Sequence, residues 1–245
     1  MIADLAGLSS ATPGELSPQP RQPATQRAWR RALVVNGLAL SACLIGLSAA
    51  HFRYNFHVVR PGQLYRSGQL PNDHWESFLR HYGIRTVINL RGEHPERDWY
   101  RAEKQAAQRC GALHLDLALD RHNLPDPAIV ERLRQWHATV PRPVLVHCQA
   151  GADRTCMVVA LWLLLEDDAT LGEVRSQMGW RFGQLPWRHG ARQLLVLLDN
   201  YETWLGSYPH SSTHFRTWLE QHYPRLVQQT HYQPEPAPIV PLVQD

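Results

Sequence analysis

Residues 143–165 read PVLVHCQAGADRTCMVVALWLLL, and this stretch decides the predicted fold. Residues 144–146 are a short apolar run, typical of a strand buried on both faces of a parallel sheet. The small and polar residues 148–154 predict a tight loop, and the nearly all-apolar run 155–165 predicts a helix that lies in the core. A strand, a loop and a buried helix in this order are typical of an α/β domain.

The sequence on either side alternates between strand and helix patterns. Residues 84–90 and 112–119 alternate apolar and polar side chains, as strands do. Asn72 and Asp73 are candidate N-caps for a helix through residue 82, and Asp126 followed by Pro127 is a typical helix start. Further helices are predicted over 95–110, 127–139, 170–179 and 189–205. The pattern therefore predicts an α/β fold with a central, largely parallel sheet flanked by helices.

The N-terminal region has a different character. Residues 1–31 contain four prolines and little apolar periodicity, so we expect a disordered tail. Residues 32–50 carry no Asp, Glu, Lys or Arg, and at about 1.5 Å per residue they would reach roughly 28 Å, close to the hydrocarbon thickness of a bilayer. We expect a single transmembrane helix or uncleaved signal anchor there. A cleaved signal peptide and a buried helix of a soluble protein are the alternatives.

Arginines flank residues 32–50 unevenly, with more of them on the N-terminal side. This bias predicts a cytoplasmic N-terminus and places the rest of the chain outside the cytoplasm. A cleaved and secreted protein, or a cytoplasmic one, is less favoured. The α/β domain is assigned to residues 52–206, and the proline-containing residues 207–245 to a C-terminal extension that is partly disordered.

Composition argues against several classes of protein. The net charge is only +3 and the basic residues form no block of five, so no nucleic-acid partner is predicted. The 14 histidines contain no HExxH motif, so neither a metal site nor a cofactor is predicted. The cysteines are too scattered for a disulfide framework or a CxxC zinc site; they are Cys43, Cys110, Cys148 and Cys156.

The candidate chemistry is concentrated in residues 147–155. A tight loop that opens a helix directs backbone N–H groups and the helix dipole at one point, which predicts an anion cradle of phosphate size. The same partial charges favour a thiolate, so Cys148 is predicted to be a nucleophile, and Arg154 can bind two phosphate oxygens. Thr155 is predicted to donate a hydrogen bond to the thiolate, and His147 to fix the loop. The residues predicted to surround the phosphate are Gln149, Ala150, Gly151, Ala152, Asp153 and Arg154.

The motif HCQAGADRT resembles the HCx5R(S/T) active-site loop of the cysteine-dependent protein tyrosine and dual-specificity phosphatases. Residues 62–69 (GQLYRSGQ) and 83–91 (GIRTVINLR) look like the start of the compact bacterial, plant and fungal members, some of which are exported to the periplasm. The resemblance covers about residues 52–205 and implies hydrolysis of phosphate monoesters through a phosphocysteine. Together with the apolar segment, it implies an inner-membrane protein with a periplasmic catalytic domain.

One position departs from this pattern, because Cys156 stands where the family often has glycine. A Cys148–Cys156 disulfide in an oxidising compartment would then be a reversible off-switch.

The proposed reaction also needs an acid that protonates the leaving oxygen. Asp116, Asp120 and Asp126 are the candidates. Asp116 lies inside a predicted strand and Asp126 is explained as a helix cap, whereas Asp120 follows the strand on a polar turn. Since the family's acid follows that strand, the resemblance implies Asp120, which would afterwards deprotonate the hydrolytic water.

The variable loop positions add no cation, which argues against highly charged inositol phosphates and favours a phosphorylated protein, with phosphotyrosine ahead of phosphoserine and phosphothreonine. An inositol-phosphate or phospholipid phosphatase is the nearest alternative. A sulfur-transferase or arsenate-reductase relative and a non-catalytic phosphate-binding module remain open. Arg66 and Arg91 either line the mouth of the site or are surface arginines.

Overall fold

The computed structural model describes residues 54–230 except 186 and 188, together with residues 29, 32–38 and 41. The chain divides into two compact units, Met1–Leu47 and Ser48–Asp245. In the first unit, residues 32–38 are helical and exposed. Within the described residues, no helix has the length and apolar character needed to cross a membrane. The predictions for the tail, for most of residues 32–50 and for residues 231–245 lie outside the described residues.

The second unit contains five strands, eight α-helices and one 3-10 turn in its described part. The strands are β1 (His57–Arg60), β2 (Leu64–Ser67), β3 (Thr86–Asn89), β4 (Leu113–Asp116) and β5 (Val144–His147). The helices are α1 (Trp75–His81), α2 (Asp98–Arg109), α3 (Pro127–Thr139), α4 (Asp153–Leu164), α5 (Leu171–Ser176), α6 (His189–Leu205), α7 (Ser212–Gln221) and α8 (Tyr223–Thr230), with the 3-10 turn at Trp180–Phe182.

The strands form one sheet in the order β1-β2-β5-β3-β4. β5 lies at its centre and pairs in parallel with β2 and β3, while β1 is an antiparallel edge strand. Every residue of β5 is buried, as its continuous apolar sequence requires. The predicted α/β fold with a largely parallel sheet is therefore confirmed. Because β5 is central, the loop that follows it emerges in the middle of the carboxyl edge of the sheet.

The helix α4 runs through the main hydrophobic core. Ten consecutive residues of it, from Thr155 to Leu164, are buried, because their side chains are apolar around the whole helix circumference. The helix begins two residues before the predicted start at residue 155, so Asp153 and Arg154 belong to its first turn. The candidate phosphate-binding residues of the loop are thus joined directly to the most deeply buried helix of the domain.

Two local details differ between sequence and structure, and one agrees. The prediction that Asn72 or Asp73 caps α1 is wrong, because the helix begins after His74 and has no side-chain cap. The predicted cap at Asp126 is confirmed, since its carboxylate accepts a 2.8 Å hydrogen bond from the backbone N–H of Ala128. The helices α7 and α8 bury Trp218 and other aromatic side chains against the main core, so packing continues beyond residue 206.

Candidate active site

The loop between β5 and α4 forms the floor of a cavity of about 250 Å³ at the carboxyl edge of the sheet. The nucleophile candidate Cys148 is 3% exposed, and it lies directly after the central strand. The cavity is lined by Arg121, Cys148, Gln149, Ala150, Ala152, Asp153 and Arg154. The structure therefore brings the predicted nucleophile and the predicted phosphate-binding arginine to one cavity.

Gly151 lets the loop approach β2 very closely. Its φ is +67°, and a Cβ built there would lie 2.6 Å from the backbone nitrogen of Gly68 and 2.7 Å from the carbonyl carbon of Ser67. A second contact lies alongside, where the backbone N–H of Gln69 donates a 3.1 Å hydrogen bond to the carbonyl of Gln149. Only glycine fits at position 151 without displacing one backbone from the other.

Arg66 supports the loop from beneath. Its side chain is fully buried, so it is not a surface arginine and does not line the mouth of the site. Its guanidinium donates to the carbonyl oxygens of Gly151 (3.0 Å) and Gln177 (2.8 Å) and rests 4.0 Å from the ring centroid of Phe182. A buried arginine with these partners holds the loop backbone in position.

Cys156 is buried directly below the site. Its sulfur accepts a 3.0 Å hydrogen bond from Arg66, and burial raises the pKa of its thiol although the charge of Arg66 acts in the opposite direction. Cys148 and Cys156 are both free cysteines in this structure. The raised pKa means that Cys156 is held as a protonated thiol.

Arg154 is fixed against the neighbouring strand. Its Nη1 donates a 3.1 Å hydrogen bond to the carbonyl of Leu90, which follows β3. The hydroxyl of Thr155 is buried without a hydrogen-bond partner, so the predicted bond to Cys148 is not formed in this structure. The roles of Cys148, Arg154 and Thr155 in catalysis stay predictions.

His147 contacts the buried carboxylate of Glu103, a residue that the sequence did not identify. Its Nε2 lies 2.8 Å from Oε1 of Glu103, and the same oxygen lies 2.9 Å from Nε2 of His114. Gln69 donates to the other oxygen at 2.9 Å. Burial alone would raise the pKa of Glu103, but the charge of His147 and these hydrogen bonds outweigh it and lower that pKa to about 2. Glu103 is therefore ionised and fixes the ring of His147 next to the nucleophile, whereas the predicted role of His147 in fixing the loop stays a prediction.

The three candidate acids lie in different environments. Asp116 is committed to the interior, because Tyr100 donates to it at 2.6 Å and Asn89 at 2.8 Å. Asp126 is the helix cap described above. Asp120 is exposed on the loop whose next residue, Arg121, lines the cavity. The structure leaves Asp120 as the candidate acid among these three.

The carboxylate of Asp120 accepts hydrogen bonds from the backbone N–H of His122 (2.9 Å) and from the side chain of Asn123 (2.6 Å). Burial acts to raise the pKa of Asp120, but these bonds outweigh it and lower the pKa. A general-acid role for Asp120 therefore requires that its pKa rise when a substrate binds, and the negative charge of a bound phosphate acts in that direction.

One further residue near the loop, Asn55, was not identified as functional by the sequence. Asn55 donates to the carbonyl oxygens of Ala150 (2.9 Å) and Phe182 (2.8 Å), and so connects the loop to the segment after α5. Asp153, which the sequence predicted near the phosphate, is the carboxylate in the cavity lining. In the described part of the chain, no group of three His, Cys, Asp or Glu side chains is arranged to hold a metal ion.

Comparison with known proteins gives one family match. A family model described as "DSP-PTPase phosphatase fused to NAD+ Kinase" matches residues 57–181. No curated protein matches the chain.

Several solved structures are similar in fold. P. aeruginosa TpbA is 24% identical with a TM-score of 0.46, over 60% of this chain and 88% of that one. PTPMT1 is 17% identical with a TM-score of 0.46, over 59% and 94% of the two chains. A mutant form of Tk-PTP is 17% identical with a TM-score of 0.46, over 61% and 95%.

Proposed function

Because the chain belongs to the dual-specificity-like cysteine phosphatases, we propose that it hydrolyses phosphotyrosine in proteins through a phosphocysteine on Cys148. The observation that carries the proposal is the cavity in which Cys148 and Arg154 lie together at the junction of β5 and α4. An anion that enters this cavity meets the start of a helix and a guanidinium anchored on the next strand.

The proposed reaction has two steps. In the first, the Cys148 thiolate attacks phosphorus, the bond to the leaving oxygen breaks, and Asp120 transfers its proton to that oxygen. In the second, Asp120 takes a proton from water, the water oxygen attacks phosphorus, and the phosphorus–sulfur bond breaks to release inorganic phosphate and the thiolate. Arg154 holds the phosphoryl oxygens throughout. The loop supports at Arg66 and Glu103 keep the donors in place between the steps.

Phosphotyrosine is proposed ahead of phosphoserine and phosphothreonine, and ahead of inositol phosphates and phospholipids. The variable positions of the loop itself add no positive charge. We propose that the catalytic domain lies on the periplasmic side of the inner membrane. Residues 32–50, which contain no Asp, Glu, Lys or Arg, would anchor it there. Protease treatment of intact spheroplasts tests this placement, because a periplasmic domain is cleaved there and a cytoplasmic one is protected.

Hydrolysis by the full chain tests the proposed chemistry. The substrates are an aryl phosphate and phosphotyrosine, phosphoserine and phospholipid substrates, each with and without a reductant. We expect turnover of phosphotyrosine that disappears in Cys148→Ser. A folded, reduced chain that turns over none of these substrates would refute the phosphatase proposal, and binding without turnover would favour a phosphate-binding module.

The role of Asp120 has a matched control in Asp153, the carboxylate that lines the cavity. Loss of a general acid costs about 10²–10⁴-fold in rate, and it costs most for substrates with poor leaving groups. We expect Asp120→Asn to lower kcat for phosphotyrosine much more than for an aryl phosphate with an acidic phenol. Asp153→Asn should lower kcat for the two substrates by the same factor. The reverse pattern would assign the acid to Asp153, and an unchanged rate in Asp120→Asn would favour sulfur-transferase or arsenate-reductase chemistry.

A further inference from the structure

Arg91 stands beside the phosphate-binding loop although it is 57 residues away from Cys148 in the sequence. In the parallel pairing of β3 and β5, Asn89 is opposite His147, and the N–H of Leu90 bonds to the carbonyl of His147. Arg91 therefore follows the end of β3, next to the strand from which the phosphate-binding loop emerges. Its neighbour Leu90 is the residue that anchors Arg154.

The guanidinium of Arg91 is held in a defined position. Nη1 donates a 2.8 Å hydrogen bond to Oε1 of Gln69, and the guanidinium carbon lies 3.4 Å from the ring centroid of Trp99. Gln69 is itself bonded to the loop through the carbonyl of Gln149. This stacking and hydrogen bonding reduce the entropy that the side chain would lose on binding a ligand.

Arg91 and Arg154 also lack acidic partners. Within the described residues, neither guanidinium forms an ion pair with a carboxylate, and Gln69 stands between Arg91 and the nearest buried acid, Glu103. Burial, followed by the charge of Arg154, lowers the pKa of Arg91. The charge of Arg154 acts on Arg91 more strongly than the Glu103 carboxylate, which acts in the opposite direction, and a bound anion relieves the repulsion between the two guanidinium groups.

We infer that Arg91 is a specificity-determining residue that binds a second anionic group of the substrate, next to the phosphoryl group held by Arg154. The inference rests on the proposed function and narrows its substrate class. For a phosphoprotein, the substrate is a phosphotyrosine with a carboxylate or a second phosphate on an adjacent side chain. Within the described residues, Arg91 uses one of its five N–H donors. The remaining N–H groups can therefore donate to a carboxylate or a phosphate.

A pair of peptides tests this specificity in the full chain. The two phosphotyrosine peptides differ only by Glu or Gln at the position next to the phosphotyrosine, and a third carries a second phosphate there. We expect the wild type to prefer the Glu peptide and the doubly phosphorylated peptide by about tenfold in kcat/KM, mostly through KM. Because exposed charges are screened by salt, this preference should shrink as ionic strength rises.

The variants are chosen so that a structural role is distinguishable. Arg91→Gln should bring the ratio between the Glu and Gln peptides close to one. Arg91→Lys, which keeps the charge, should retain part of the preference. Arg85→Gln is the matched control, because Arg85 is exposed and precedes the amino end of β3, at the opposite edge of the sheet; its ratio should equal that of the wild type.

Each outcome decides one of the two proposals. A wild type that hydrolyses an aryl phosphate and all the peptides without preference overturns the role of Arg91 and leaves the proposed function intact. A preference that survives Arg91→Gln overturns it as well. A preference for only one of the two anions that disappears in Arg91→Gln supports the role of Arg91 and identifies the group that it binds. A folded wild type that hydrolyses none of these substrates refutes the proposed function instead.

Discussion

Replacing Gly151 by alanine tests whether the anion cradle depends on the close approach of the loop to β2. The added Cβ would lie 2.6 Å from the nitrogen of Gly68, and 2.7 and 2.8 Å from the carbonyl carbon and oxygen of Ser67. Ordinary van der Waals contact begins near 3.4 Å. The shortest contact must therefore lengthen by about 0.8 Å, and because every atom it meets is backbone, the loop itself must move.

The size of the effect follows from that displacement. A misplacement of about 1 Å at reacting groups costs on the order of 10²-fold in rate, equivalent to about 2.7 kcal/mol of transition-state stabilisation. We therefore expect Gly151→Ala to lower kcat/KM for an aryl phosphate by about 50- to 100-fold. The positive φ of +67° adds a cost in folding stability of about 1 kcal/mol.

Gly111→Ala is the matched control for the backbone strain. Its φ is +66°, and a Cβ there would have nothing within 4 Å. This variant should lose about 1 kcal/mol in the free energy of unfolding and keep the kcat/KM of the wild type. Urea unfolding and aryl phosphate hydrolysis are measured for both variants. If Gly151→Ala retains kcat/KM within about threefold of Gly111→Ala, the loop does not depend on the contact with β2 and the reasoning is wrong.

Two further predictions concern the supports beneath the site. Burial acts to lower the pKa of His114, but its contacts with the carboxylates of Asp116 (3.5 Å) and Glu103 (2.9 Å) outweigh it and raise that pKa to about 9. A histidine with a raised pKa stabilises the fold fully below its unfolded value of about 6.5 and loses this contribution as pH rises to 9. The free energy of unfolding should therefore fall by up to about 3 kcal/mol over this range, and His114→Gln should remove that dependence in urea titrations; a dependence unchanged in the variant would contradict the assignment. Arg66→Met should lower the unfolding free energy by about 2–4 kcal/mol, because the buried carbonyls of Gly151 and Gln177 lose their donor. A loss below about 1 kcal/mol in chemical denaturation would show that Arg66 does not hold the loop.

The elements that the sequence predicted correctly are those with local causes. The start of α3 follows from Asp126 and Pro127, whose capping and fixed φ act within one helical turn. The strand β5 follows from a continuous apolar run that only a doubly covered strand accommodates. The packing of residues beyond 206 against the core was harder to predict, because short amphipathic helices such as α7 become stable only through the surface on which they pack.

The residues that support the loop could not be predicted from local patterns in this way. Glu103 is one polar residue among many in α2, and its partner His147 is 44 residues away in the sequence. Arg66 and the carbonyl that it holds are separated by 85 residues. A single charged residue in a sequence is usually exposed, so its burial becomes visible only when the partners that compensate its charge are in place.

The sequence by itself determined the strand, loop and helix around HCQAGADRT and the candidate pair Cys148 and Arg154, because the spacing of the motif and the apolar runs on either side are local properties of the chain. Only the tertiary structure decided that Arg66 lies beneath the loop and that Arg91 lies beside it. Both placements depend on which strands are neighbours in the sheet. The parallel pairing of β2 and β3 with β5 brings distant residues to one edge, and no local pattern specifies that order.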